Sequence, residues 1–300
     1  MKRKVIKQAG SAYTLTLPIK WVRENDIDEK KEVDVIEDGK SLIVSNLGGT
    51  KKKRAKVDMS GFYFKNVFLH LNSLYAVGVD EIEITSEKDI STLLVNALNT
   101  LIGYVLVDKD GDKYLIKDIG GNPLSDLDEV FKRVFQAVIL FFESAIADIF
   151  GEEKEKECDL NLRDKEINKL CLYLQRSINK MSYADAVYGR ALFTYSFELE
   201  RIGDNILRLW RMNIKEGPRK SAELRKLADL CLEMLEYSFD LFYRFDSMEI
   251  DRSYEIRRKV RGVAGKIKGD SRLSRYFFEI SESVTDLTHL ILAMKLPLVE

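Results

Sequence analysis

Tyr195-Ser196-Phe197-Glu198-Leu199-Glu200-Arg201-Ile202-Gly203-Asp204 recurs 82 residues later (204 to 286) as Phe277-Phe278-Glu279-Ile280-Ser281-Glu282-Ser283-Val284-Thr285-Asp286. A repeat of this length at fixed offset is the signature of a duplicated supersecondary unit. Outward from it, apolar residues recur at helical spacing throughout 124–296, as in Phe131, Val134, Phe135, Val138, Phe142 and Ala145. Five interruptions, near 151–158, 181–182, Gly217-Pro218, 247–251 and Gly269-Asp270, divide the stretch into six helices. Each repeat copy is then the third helix of a three-helix set, and short connections between neighbours predict an all-α six-helix bundle. Both copies hold Glu-x-x-x-Asp: Glu200 with Asp204, and Glu282 with Asp286. Residues four apart share a helix face, about 5–6 Å apart at Cβ. Two carboxylates so placed need a hard cation, an Arg or Lys from another helix, or full solvation as an acidic stripe.

Composition narrows the classes. The 300 residues hold 48 Lys and Arg against 49 Asp and Glu, and 45% are hydrophobic, enough for real cores and too much for wholesale disorder. Four prolines suit long uninterrupted helices. Cys158, Cys171 and Cys231 form no CxxC pair, which argues against a disulfide scaffold and fits a reducing cytoplasm. The longest apolar run, 134–150, is interrupted by Gln136, Glu143 and Asp148 and is too polar to span a bilayer. Basic residues at 1–7 precede no apolar h-region, so no signal peptide is expected. No Gly-rich phosphate loop, nucleophile elbow or HExxH is present, and neither repeat offers the Glu-x-x-His of a di-iron centre, so an enzyme is not expected. The near-neutral total hides an asymmetry: residues 1–56 carry 14 basic and 8 acidic side chains, a net of +6, and the remainder a net of −7.

The basic head reads as strands. Tyr13 to Leu17 alternates and is rich in strand formers, Gly10-Ser11 signals a turn, and Pro18 opens a short helix carrying Trp21. Residues 33–37 and 41–45 flank Asp38-Gly39, a hairpin with a type I′ signal. Residues 48–56 read as a basic linker. The segment 57–120 mixes a helix over 63–77, a strand over 81–85, a helix over 89–101 with Asp89 or Ser91 as its cap, and a second hairpin at Asp110-Gly111. The expectation is an α+β protein with four parts: a small β domain (1–47), a linker (48–56), a mixed α/β connector (57–120) and a helical bundle (124–296).

Leu199-Glu200-Arg201-Ile202-Gly203-Asp204-Asn205-Ile206 resembles the signature helix of PhoU-type phosphate-signalling regulators, and 281–290 is a weaker match. The resemblance implies a bundle whose Glu/Asp-x-x-x-Asp motifs bind iron or other divalent ions. It makes Glu200, Asp204, Asp164, Glu282 and Asp286 the candidate ligands for a divalent or trivalent cation such as iron, zinc or magnesium. This sequence departs from the family at Asp164-Lys165-Glu166-Ile167-Asn168, where Asn takes the second acidic place. It departs again near 251–257, where Arg257 and Arg258 oppose a cation, so the first repeat retains the better site. His289 shares a face with Asp286 and Glu282 and is a further candidate, although such a histidine is more often a packed or dipole-compensated residue. His70 reads as structural.

Residues 4–18, with Ser11-x-Tyr13-x-x-x-Leu17-Pro18 as the most telling part, are similar to the start of a SpoVT/AbrB-type swapped-hairpin domain. That resemblance implies an obligate homodimer through 1–47 with interleaved strands, and binding to double-stranded DNA. Some 45 residues cannot bury a sufficient core alone, which agrees. Lys4, Lys7, Gln8, Ser11, Tyr13 and Arg23 are the candidate DNA contacts, with 51–54 as a flanking basic arm. A solvated, charge-protected strand edge is the alternative reading of the lysines. The two resemblances, joined as in archaeal fusions of these domains, imply a cytoplasmic DNA-binding regulator of phosphate uptake. The alternative is an adaptor that docks on a phosphate transporter ATPase or a sensor kinase, its head serving only for dimerisation.

Overall fold

The computed structural model describes residues 3–8, 13–38, 41–45, 52–120, 127–152, 154–180, 186–217, 220–267 and 272–296. The chain divides into two units, residues 1–53 and 54–300.

The first unit is two small antiparallel sheets and two short helices. Strand β1 (Val5–Lys7) pairs with β2 (Tyr13–Leu15), with Val5 opposite Leu15 and Lys7 opposite Tyr13. Pro18, in extended conformation, precedes helix α1 (Ile19–Glu24), where its missing N–H costs nothing. Helix α2 (Ile27–Lys30) lies between two left-handed residues, Asp26 and Lys31. Strand β3 (Asp34–Asp38) pairs with β4 (Ser41–Ser45) over five positions, as the alternating pattern requires. Of the turns expected at Gly10-Ser11 and Asp38-Gly39, Gly10, Ser11 and Gly39 lie outside the described residues, and Asp38 ends β3 opposite Ser41. Among the residues of this unit whose side chains are described, Ile27 is the one buried. Val5 is 62% exposed, Ile6 57%, Tyr13 63% and Leu15 45%, so the apolar half of the strand pattern finds no core within one chain.

The second unit begins with a strand in place of the expected linker. Arg54 to Lys56 belong to β5 (Arg54–Asp58), so the linker does not extend to 56. The run Arg54-Ala55-Lys56-Val57-Asp58 alternates with period two, and its basic members hid that alternation in the composition. Strands β6 (Glu81–Thr85), β7 (Tyr104–Asp110) and β8 (Lys113–Asp118) complete a sheet of order β5-β6-β8-β7. The β5–β6 pair is parallel and the others antiparallel. Helix α3 (Phe64–Ala76) makes the parallel crossover and α4 (Ser91–Leu98) links β6 to β7. The α4 start is set by Asp89, whose Oδ1 accepts from the Ser91 N–H and hydroxyl. Val67, Leu71, Tyr75, Leu94, Ala97 and Leu98 cover one sheet face, where Ile82, Ile84, Tyr114 and Ile116 are buried. The other face carries ion pairs between neighbouring strands, Arg54–Glu81 at 2.9 Å and Lys56–Glu83 at 2.6 Å. The second hairpin loop is Gly111-Asp112, one residue beyond Asp110-Gly111, because Asp110 still pairs with Lys113. Gly111 supplies the positive φ, 58°, at the first loop position, as a II′ turn requires.

The bundle is α5 (Leu127–Phe150), α6 (Glu157–Lys180), α7 (Ala186–Glu216), α8 (Ala222–Tyr243), α9 (Ile250–Ala264) and α10 (Arg272–Lys295). The Ser221 hydroxyl accepts from the Leu224 N–H and caps α8, and Asp246 likewise caps the short 3₁₀ turn before α9. The two repeat helices, α7 and α10, pack on one another. Tyr195 and Phe277, Ile202 and Val284, and Leu209 and Ile291 are matched across the 82-residue offset, and each is fully buried. Aromatic rings from α5, α7 and α8 (Phe131, Phe135, Tyr195, Phe242) cluster at 4.9–5.9 Å between centroids. Among the described residues no helix is long and apolar enough to cross a membrane.

Candidate functional site

Two surfaces hold the residues singled out in the sequence. In the first unit Lys4, Lys7, Gln8, Tyr13 and Arg23 are all exposed, and Ser11 lies outside the described residues. Lys7 and Tyr13 are cross-strand partners. Lys4, Lys7 and Arg23 make no ion pair with a described residue, so their charge is available to an external anion.

On the bundle, the first repeat gathers Asp164 from α6 with Glu200 and Asp204 from α7. Asp204 is bonded by Arg208 one turn on at 2.7 Å, and Glu200 accepts from the Gln175 amide at 3.4 Å. Asn168 donates weakly to Asp164 Oδ2 at 3.5 Å. Asp164 Oδ1 and Asn168 Oδ1 are buried without a partner. Burial and then the neighbouring Asp204 charge push the Asp164 carboxyl up to about 6. Burial, followed by Asp204 and Asp164, also raises Glu200, against the opposing Gln175 bond. Three carboxylates thus crowd a partly buried face, eased by Arg208 on Asp204 and by the Arg211 and Lys165 charges near Asp164.

The second repeat solves the same problem internally. At the 82-residue offset Gln175 corresponds to Arg257 and Glu200 to Glu282, and the two contacts coincide. Glu282 accepts from the Arg257 guanidinium at 2.6 Å and from Arg261 at 3.2 Å, and this holds its carboxyl below the usual range. Asp286 is met by Arg201 from α7 at 3.3 Å. His289 Nε2 faces the Tyr254 hydroxyl at 3.1 Å, and His70 Nδ1 faces the Asn66 carbonyl at 2.8 Å. The same offset corrects the expected register: Asp251 corresponds to Lys169, and the counterpart of Asp164 is Asp246, the cap of the 3₁₀ turn. The sequence stretch near 251 misled because its Asp lies one helical turn too late.

Among the described residues no three His, Cys, Asp or Glu side chains stand close enough together to ligate one ion. The two orphaned oxygens and the carboxylates of Asp164 and Glu200, which no guanidinium or ammonium bonds directly, nonetheless fit a hard, oxygen-preferring cation better than zinc, because no imidazole joins them and the one thiol nearby, Cys171, is buried with its acidity suppressed. The second repeat does not fit, because a guanidinium already neutralises Glu282.

Asp164 binds its proton more tightly folded than unfolded, so its contribution to stability is largest below its ordinary value of 3.8 and is lost as the pH rises to about 6. Asp164→Asn should therefore raise the melting temperature relative to the natural chain at pH 7 and leave it nearly unchanged at pH 4. Melts in chelator measure the difference, and equal gains at both pH values would contradict it.

Sequence reading missed Arg176 altogether. This α6 side chain is 3% exposed and joins the bundle to the α/β module. It donates to the carbonyls of Tyr75 (3.0 Å) and Val79 (2.7 Å) and to Asp80 (3.3 Å) and Asp118 (2.5 Å), and lies between the Tyr75 and Tyr104 rings at 4.9 and 5.0 Å. Its carboxylate partners are 96 and 58 residues away, so no local pattern marked it.

A search of curated protein sequences finds no match. Among solved structures the chain is similar to a crystal structure of PhoU from Pseudomonas aeruginosa, with 19% identity over 57% of this chain and 96% of that one, at a TM-score of 0.39. That score is too low to carry any shared function. Residues 6–56 match the family described as antidote-toxin recognition MazE, bacterial antitoxin. At its N-terminus, therefore, this chain carries a domain of the MazE/AbrB antitoxin type.

Proposed function

We propose that the protein is a dimeric, DNA-binding regulator whose helical bundle reports on phosphate status. The observation that carries this reading is the open apolar face of the first unit. Val5 and Leu15, cross-strand partners on one face of the β1–β2 pair, stay in water in one chain, and a second copy is the partner that would cover them. Pairing would place two sets of Lys4, Lys7, Gln8, Ser11, Tyr13 and Arg23 on one body and double the net charge of +4 that residues 1–53 carry. The MazE-type match supports both pairing and DNA binding. The phosphate assignment rests on the likeness of 199–206 to the PhoU signature helix. Asp164, Glu200 and Asp204 would hold one cation, iron or magnesium, only on drawing closer together than they stand in this structure. A ligand acts as an effector only if it binds two head arrangements with different affinity.

The test is duplex binding against salt. Each lysine that neutralises a phosphate contributes about 0.9 to the slope of log affinity against log salt. Lys7→Ala removes two such contacts from a dimer, so the slope should become shallower by about 1.8. Fluorescence anisotropy across a salt series reads it. An unchanged slope for both Lys4→Ala and Lys7→Ala would remove DNA contact by β1.

A further inference from the structure

We propose that a cleft between the α/β module and the bundle binds a nucleotide, a purine base carrying phosphates. The cleft, with a volume of about 520 Å³, lies where α3, α4 and α6 meet within the second unit. It falls inside the range of small-molecule sites, about 300–1,000 Å³. Three kinds of side chain converge there from segments far apart in sequence. Phe64 and Phe68, one turn apart on α3, form a tilted ring pair at 4.6 Å between centroids. Phe64 is 51% exposed, an aromatic face kept in water. Asn96 and Asn99, at the end of α4, present amides that make no hydrogen bond to a described residue. Lys165 and Lys169 project from α6 one turn apart. Lys165 has no ion pair, and Lys169 holds Glu166, the one carboxylate of the cleft, only loosely at 3.9 Å.

Each part matches one part of a nucleotide. A flat, polarisable base gains by stacking on an exposed ring. Amide side chains carry both donors and acceptors, the complement of a purine edge. Two ammonium groups suit a phosphate chain. Inorganic phosphate alone would leave the ring pair wet and the amides unused, and an apolar ligand would leave the lysines unused. The neighbouring groove of about 500 Å³ shares Leu162 and Glu166 with the cleft but is lined mainly by apolar side chains, and Leu140 on its own side supplies an internal control. This inference is independent of the DNA and cation readings.

Isothermal titration of the full chain with ATP, adenosine and inorganic tripolyphosphate tests it. ATP should bind saturably with one site per chain, and adenosine and tripolyphosphate each at least about tenfold more weakly, since each supplies half of the contacts. Phe64→Ala and the double change Lys165→Ala with Lys169→Ala should each weaken ATP about tenfold, while Leu140→Glu in the neighbouring groove leaves it unchanged. Lys165 is exposed and Lys169 half-buried, so the double change tests the site without touching the core. Absence of saturable ATP binding, tripolyphosphate binding as tightly as ATP, or affinity indifferent to both site variants would overturn the proposal.

Discussion

Leu15→Asp should turn the protein into a monomer and lower its affinity for duplex DNA by at least about a hundredfold. Leu15 stands opposite Val5 across the β1–β2 pair, and both are exposed in a single chain. Leu15 is 45% exposed, so covering what remains in water is worth about 0.7–1.4 kcal/mol, and twofold symmetry counts it twice. A dimer would lose about 1.4–2.8 kcal/mol from this term, or about 10 to 10² in its association constant. The aspartate adds a charge where a dry contact should form. The bundle belongs to the other unit, so its helical circular dichroism should be unchanged, and this separates loss of pairing from loss of folding. A Leu15→Asp chain that pairs and binds as tightly as the natural one would mean that this apolar face has another purpose.

The second large effect is expected at Arg176. Its guanidinium is held by two carbonyls, two carboxylates, the Tyr104 hydroxyl and two aromatic faces. Arg176→Ala leaves Asp80 and Asp118 poorly compensated, with Lys180 at 2.7 and 3.6 Å as their remaining bridge among these contacts, and it leaves the Tyr75 and Val79 carbonyls with the Gly78 N–H and the Tyr104 hydroxyl as donors. Breaking a buried pair in this way costs about 3–5 kcal/mol. Arg176→Lys keeps the charge but not the planar fork that reaches carbonyl and carboxylate together, so most of the loss should remain. Hydrogen exchange should report it as lost protection in β5–β8 at a denaturant concentration where α5, α7 and α10 stay protected. Uniform protection in the variant would show that the module and the bundle are held together by something else.

How far these features could be read beforehand follows from their range along the chain. The six helices and the repeat were legible because a period of 3.6 and an offset of 82 survive without tertiary information. Strand β5 was not, since Lys51, Lys52, Lys53 and Arg54 made its start look like a solvated arm, and the pairing of Arg54 with Glu81 and of Lys56 with Glu83 reveals the ladder. The second hairpin was recognised but placed one residue early, because Asp-Gly marks a turn without fixing its register. At the carboxylate sites the sequence pointed to opposing arginines in the second repeat and identified Arg257 correctly, whereas the second guanidinium on Glu282 comes from Arg261. The contrast of Gln175 with Arg257 emerges only when two helix pairs are compared in space. The cleft proposed for a nucleotide left no sequence trace, since its nine lining side chains come from three segments far apart in the chain.

Sedimentation equilibrium of the full chain over a dilution series tests the central claim most directly. A head completed by a second copy predicts twice the 34.6 kDa chain mass, persisting into the low micromolar range. A single-chain mass at every concentration would contradict it, because the exposed strands would then be the finished surface and not half of a core.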